Sequence, residues 1–205
     1  MIAIIDYGVG NLRSVEKAFH YNGTDAKISS DKEFIKKADA IVLPGVGAFS
    51  DAMKRLENAN LIEFIKEIID TKKPFLGICL GMQLLFDYSE EGQENEKIPG
   101  LGILKGSIKR FSNDSNLKVP HMGWNSFIIK NDSLFLQNLP QDPYVYFVHS
   151  YYLTAKDRDI VIGTTEYGVE FDVIINKENI FCTQFHPEKS GEIGLEILKN
   201  FTKTI

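Results

Sequence analysis

The first 80 residues alternate short apolar runs with amphipathic ones. Ile2–Ile5, Ala40–Leu43 and Phe75–Ile78 are continuously apolar, the mark of strands covered on both faces. Ala26–Ser29 reads as a further short strand. Between them, Asn11 is placed to cap a helix through about Tyr21, with Leu12, Val15, Ala18 and Phe19 on one stripe. Asp31–Lys37 reads as a short helix, Ser50 to about Asp70 as one or two helices, and Leu80 to about Tyr88 as another. Repeated β-α order predicts a parallel sheet layered by helices.

The pattern then changes. Glu90–Lys97 is polar and acidic and reads as an exposed loop. Short β-like runs follow at Gly106–Phe111, Ser126–Lys130, Tyr144–Val148, Ile160–Thr165, Phe171–Ile175 and Ile180–Phe185, before a last helix over Ile193–Phe201. The expected fold is α/β: a mostly parallel central sheet flanked by helices, with added antiparallel strands, in a single domain over residues 1–205. No repeat or low-complexity linker divides it.

Composition narrows the function classes. The chain has 205 residues, 43% hydrophobic and 25% charged, with a net charge of −5. A chain this long buries a core without disulfides or metals. No Lys/Arg cluster suits a phosphate backbone, so nucleic acid is not an expected partner. No apolar run reaches the ~18 residues that span a bilayer, and Met1–Asp6 lacks the basic start of a signal peptide. Cys79 and Cys182 form neither a CxxC nor a disulfide framework, which points to the cytosol. The N-x-S/T triplets at Asn22, Asn113, Asn131 and Asn200 are then chance matches.

Gly77-Ile78-Cys79-Leu80-Gly81 follows an apolar strand and opens a helix. It has the form of a nucleophile elbow with Cys in place of Ser. Such a turn strains the backbone at the nucleophile. The positive end of the following helix favours a thiolate, and the Leu80 N–H is free to meet an oxyanion. Gln83, one turn on, shares the face of Cys79.

His186 has the best surroundings of the four histidines. Pro187 ends the preceding strand, and with an extended backbone Glu188 falls on the same side as His186. One ring nitrogen could then face the thiol while the other donates to the carboxylate, the triad logic on a cysteine. His149 ends an apolar strand but has no carboxylate two residues on. No histidine or cysteine spacing suits a metal. Pro44-Gly45-Val46-Gly47 follows a strand, where loops of parallel sheets carry function, and could supply a second oxyanion N–H. Gly8-Val9-Gly10-Asn11-Leu12-Arg13 starts like a dinucleotide fingerprint but has Arg13 at its third glycine, against a nicotinamide site.

At these residues the chain resembles the class I glutamine amidotransferases. The likeness is carried by Gly77–Gln83, Phe185–Ser190 and Pro44–Gly47. Within that class, Asp6–Leu12, Val119–Asn125 and Tyr146–Tyr152 resemble the glutaminase subunits of imidazole glycerol phosphate synthases, and the likeness runs from Met1 to the final helix. It implies hydrolysis of L-glutamine to glutamate and ammonia through a γ-glutamyl thioester, without cofactor or metal. Cys79 would be the nucleophile, His186 the proton relay and Glu188 its orienter. Val46, Gly47 and Leu80 would form the oxyanion hole, while Gly47, Gln83, Ser150 and Tyr151 would hold glutamine. The implied partner is a (β/α)₈ cyclase that uses ammonia to make imidazole glycerol phosphate and a purine precursor. Asn11, Trp124, Tyr146 and Lys189 would lie near it, with Trp124, the sole Trp, in a Gly-containing loop. The resemblance further implies low activity until the partner binds its ligand, with Pro44–Gly47 as the bistable loop.

A need for a partner also follows from chemistry: ammonia released into neutral water is protonated and loses its nucleophilicity. Other readings stay open at this level. One is a paralogous subunit feeding ammonia to another synthase, for example in sugar amidation. Another is a catalytically silent regulatory scaffold, and a third a stand-alone cysteine hydrolase.

Overall fold

The computed structural model describes residues 1–92, 96–112 and 117–205. The middle of the polar stretch at Glu90–Lys97 and the Asn113 triplet lie outside the described residues. The first half runs β1 (Ile2–Ile5), α1 (Leu12–Tyr21), β2 (Ala26–Ser29), α2 (Lys32–Lys37), β3 (Ala40–Gly45), α3 (Phe49–Asn58), α4 (Ile62–Asp70), β4 (Phe75–Cys79) and α5 (Leu80–Gln83). The second half runs β5 (Tyr88–Ser89), β6 (Ile98–Pro99), β7 (Gly106–Arg110), β8 (His121–Ser126), β9 (Ile128–Ile129), β10 (Tyr144–His149), β11 (Tyr151–Ala155), β12 (Val161–Glu166), β13 (Glu170–Lys177), β14 (Ile180–Thr183) and α6 (Gly191–Thr202).

The main sheet follows the order β2-β1-β3-β4-β14-β13-β11-β7-β5-β6, with β12 on β13 and β9 on β12. From β2 to β14 all pairings are parallel; β13 turns the sheet antiparallel. Apolar side chains pack on both faces, Leu43, Phe49, Ile65 and Phe86 on one and Val42, Leu76, Phe185 and Phe201 on the other. That two-sided burial explains the unbroken apolar runs of β1, β3 and β4. β8 and β10 form a separate antiparallel ribbon.

Several expectations need correction. The helix expected to reach Tyr88 stops at Gln83. The carbonyls that would continue it are taken by the 101–104 segment: Leu101 N–H donates to Leu84 O, Gly102 to Phe86 O, and Ile103 and Leu104 to Leu85 O. The expected strand at Ser126–Lys130 shrinks to Ile128–Ile129, and Trp124 stands in β8 rather than in a loop. β8 and β11 were not expected, because His-Met-Gly-Trp-Asn-Ser carries no clean alternation and Tyr151–Ala155 begins with two half-buried tyrosines. Asn11 occupies the N-cap of α1, but its side chain makes no capping bond. Asp31 does cap α2, accepting from Glu33 N–H at 2.9 Å.

Candidate active site

Strand register brings the chemistry together. β4 lies between β3 and β14, with Gly45 opposite Cys79 and Thr183 opposite Ile78. All three strands run out at the same edge, so the loop after Gly45, the sulfur of Cys79 and the ring of His186 meet there. Cys79 has φ 54° and ψ −111°, a strained conformation for a residue with a side chain. Gly81 makes the turn possible: a Cβ there would lie 1.8 Å from Leu43 O. The absent side chain lets α5 sit directly on β3.

Val46, Gly47, Cys79, Leu80, Gln83, Ser150, Tyr151 and His186 line one cavity of about 280 Å³, joined by Glu91 and His149. Glu188 stands behind His186 and accepts from Nδ1 at 2.9 Å. The two side chains are 2% and 1% exposed. The backbone between them is not extended as expected. Pro187–Lys189 forms a 3₁₀ turn, closed by Lys189 N–H to His186 O, and this turn brings the carboxylate to the ring. Ser190 Oγ donates to His186 O and accepts from Tyr146 N–H, and His186 N–H donates to Tyr146 O, so β10 clamps the turn.

Nδ1 is engaged, while Nε2 of His186 is buried without a hydrogen-bond partner among the described residues. Burial alone would push this imidazole down, but its interactions with Cys79 and with the Glu188 carboxylate outweigh it and raise its pKa to about 10. The single-turn α5 offers little macrodipole; the group beside Cys79 biased toward positive charge is His186. Further contacts fix the sulfur from other sides: Gln184 Nε2 donates to it at 3.7 Å, and the thiol donates to Val148 O at 4.0 Å. Tyr7, donating to Pro44 O at 3.0 Å beneath the Pro44–Gly47 loop, is pushed up by burial and by Cys79.

Gly47 has φ 94°, a region that glycine enters without strain. Neither the Val46 nor the Gly47 N–H has a backbone acceptor among the described residues, and Leu80 N–H opens a helix and so has no intrahelical acceptor. Of the residues expected near a partner, Trp124, Tyr146 and Lys189 form one cluster. The two rings meet edge-on at 6.1 Å, and Lys189 Nζ lies 6.0 Å over Tyr146. Asn11 opens α1, which packs against the Pro187–Lys189 turn.

Three residues at or behind the cavity wall have no role in the sequence analysis: Gln184, buried beside Cys79, and the lining residues His149 and Glu91. Gln184 shares the face of Cys182 and His186 by strand alternation, a signal that was available. His149 ends β10 beside Ser150 and Tyr151, which the reading did single out. Glu91 is half-buried, accepts from Phe49 N–H at 2.5 Å, and is pushed up by burial; it belongs to a stretch read as exposed loop, and no local pattern marks it.

Known proteins match this arrangement. The family description "Glutamine amidotransferase class-I" matches residues 3–205. A protein of Caldanaerobacter subterraneus named "Imidazole glycerol phosphate synthase subunit HisH" is 55% identical over 100% of this chain and 98% of its own. One of the same name from Methanocaldococcus jannaschii is 49% identical, with both chains fully covered. Among solved structures, "Structure of PurLQS from Thermotoga maritima" shares the fold with a TM-score of 0.75 at 20% identity, covering 99% of this chain and 97% of that one. With the family description spanning nearly every residue and full-length relatives at about half identity, the chain belongs to the class I glutamine amidotransferases.

Proposed function

We propose that this chain is the glutaminase subunit of an imidazole glycerol phosphate synthase, acting in histidine biosynthesis through Cys79, His186 and Glu188. The observation that carries the chemistry is the buried His186, held by Glu188 through Nδ1 and turning an unpartnered Nε2 to the Cys79 side of the cavity. The full-length relatives carry the assignment to this synthase.

Cys79 gives its thiol proton to His186 Nε2 as Sγ attacks the side-chain carbonyl carbon of L-glutamine, forming the C–S bond. The developing oxyanion is received by N–H groups of the Val46–Gly47 loop and of Leu80. Imidazolium His186 gives its proton to the amide nitrogen as the C–N bond breaks, and ammonia leaves. Neutral His186 then takes a proton from water, whose oxygen adds to the γ-glutamyl thioester; the C–S bond breaks, the sulfur recovers the proton from His186, and glutamate departs. Glu188 holds the ring in register through both halves. Gly47, Gln83, Ser150 and Tyr151 hold the amino-acid end, and the Glu91 carboxylate suits its ammonium.

Ammonia passes to a cyclase subunit docked where Trp124, Tyr146 and Lys189 cluster, with Asn11 at the margin. The test is glutamine turnover by the full chain, alone and with a (β/α)₈ cyclase and its nucleotide ligand. Turnover that needs the loaded cyclase is the expected result. Full turnover without it favours the stand-alone hydrolase, and none in the loaded complex favours the scaffold.

A further inference from the structure

Two histidines outside the triad are joined to each other and to the glutamine cavity. β10 and β8 pair with His149 directly opposite His121, and both side chains are buried. His121 Nδ1 lies 3.0 Å from His149 Nε2, and His149 Nδ1 lies 2.8 Å from Tyr151 O. At the far end Asn125 Nδ2 lies 3.4 Å from His121 Nε2.

The direction of these bonds follows from chemistry. Tyr151 O is only an acceptor, so His149 carries its proton on Nδ1. Neutral His149 then accepts on Nε2, which makes His121 Nδ1 a donor and His121 Nε2 an acceptor. The amide of Asn125 is oriented independently: its Oδ1 accepts from Ser126 N–H at 2.9 Å and its Nδ2 donates to Glu166 O at 3.0 Å. Both ends thus demand the same polarity. Aromatic rings enclose the pair. His121 is stacked between Phe147 at 4.7 Å and Tyr167 at 4.1 Å, and Phe111 and Phe171 each lie 5.4 Å from His149. Among the described residues, the two rings hydrogen-bond only to each other, to Asn125 and to Tyr151 O.

The chain of donors ends on an oxygen with a second duty. Tyr151 O also accepts from Gln83 Nε2 at 3.0 Å, and the other proton of that amide goes to Gln184 Oε1 at 2.8 Å. With both protons committed, Gln83 can offer the cavity only its acceptor, Oε1. Such an atom fits an ammonium and not a carboxylate.

We propose that His121 and His149 are positioning residues for glutamine binding. Their donor chain from Asn125 anchors Tyr151 O, and that carbonyl, with Gln184 Oε1, holds the Gln83 amide in the one orientation that presents an acceptor to the substrate ammonium. The substrate assignment rests on the function proposed above; the relay does not. Because Gln184 also touches Cys79 Sγ, one polar path links β8 to the nucleophile.

The test has two arms on the full chain. Without substrate, nitrogen NMR at neutral pH should find His149 and His121 both neutral and protonated on Nδ1, and His149→Phe should speed exchange of the Gln83 side-chain protons. A proton on Nε2 of either ring, or unchanged Gln83 exchange, overturns the relay. In complex with the cyclase and its ligand, His149→Phe should raise the KM for glutamine about tenfold or more with a smaller change in kcat. Alkylation of Cys79 by uncharged iodoacetamide should stay near wild type, which reads a folded site. His149→Asn, whose amide can donate where Nδ1 does, should restore most of the affinity. A KM within twofold of wild type, a loss confined to kcat, or an Asn variant no better than Phe overturns the positioning role. A relay intact by NMR in a chain that never hydrolyses glutamine sinks the substrate assignment instead.

Discussion

His186 and His149 line the same cavity, both almost inaccessible to solvent, and they are driven in opposite directions. Burial depresses His149 to about 3, and its neighbour His121 to about 4. The same burial acts on His186, yet its pKa is raised to about 10. What separates them is the partner. His149 donates to a neutral carbonyl and faces another imidazole, whereas His186 lies between Cys79 and Glu188. Desolvation sets a common penalty on the charged ring, and only a nearby anion overcomes it. One fold therefore holds a histidine biased toward its charged form, suited to proton transfer, beside a pair biased toward the neutral form, suited to hold geometry.

The sharpest way to break this contrast is to remove the sulfur. Cys79→Ala should lower glutamine-dependent synthesis by more than about 10³-fold, as loss of a nucleophile does, and spare synthesis from added ammonium salts in the complex. It should also pull the His186 pKa down toward the other two, read by imidazole NMR titration. If ammonia-dependent synthesis is lost as well, Cys79 is structural; if His186 does not move, Cys79 is not what raises it.

Next in size is the carboxylate. Glu188→Gln keeps the shape of the side chain and removes its charge. Turnover should fall about 10²-fold and not vanish, because Glu188 orients His186 without touching substrate, the role for which a serine-protease triad loses up to ~10⁴. A wild-type rate would remove Glu188 from the mechanism.

The two kinds of histidine were unequally legible in the sequence. His186 stood out because Pro187 and Glu188 follow it, and Cys79 because glycines flank it two residues away on both sides. Those cues are local, and the continuous apolar runs of β1, β3 and β4 located the sheet edge where the two residues meet. His121 and His149 owe their pairing to the β8–β10 register, and β8 carries no strand signal of its own. Glu91 likewise becomes a cavity residue only through tertiary contact with Phe49. α5 ends earlier than its apolar pattern predicts for a related reason: backbone donors from residues 101–104, distant along the chain, claim the carbonyls that would extend it.

The smallest effect is on stability, and there the two kinds of histidine should act at opposite ends of the pH scale. An unfolded histidine titrates near 6.5. His121 and His149, depressed in the folded state, leave the unfolded chain binding more protons as pH falls below that value, so the stability they contribute is full above 6.5 and declines on acidification. Between pH 6.5 and 5.5, above the main carboxylate titrations, each ring should cost about 1 kcal/mol. His186 has the opposite sign: its raised pKa contributes stability below 6.5 that is lost as pH climbs toward about 10. Urea unfolding of the full chain at several pH values reads both limbs. His149→Phe should shrink the acid-side loss and leave the alkaline limb unchanged. An acid limb as steep as wild type in that variant would mean that His149 is not held neutral, and the contrast between the two sites would collapse.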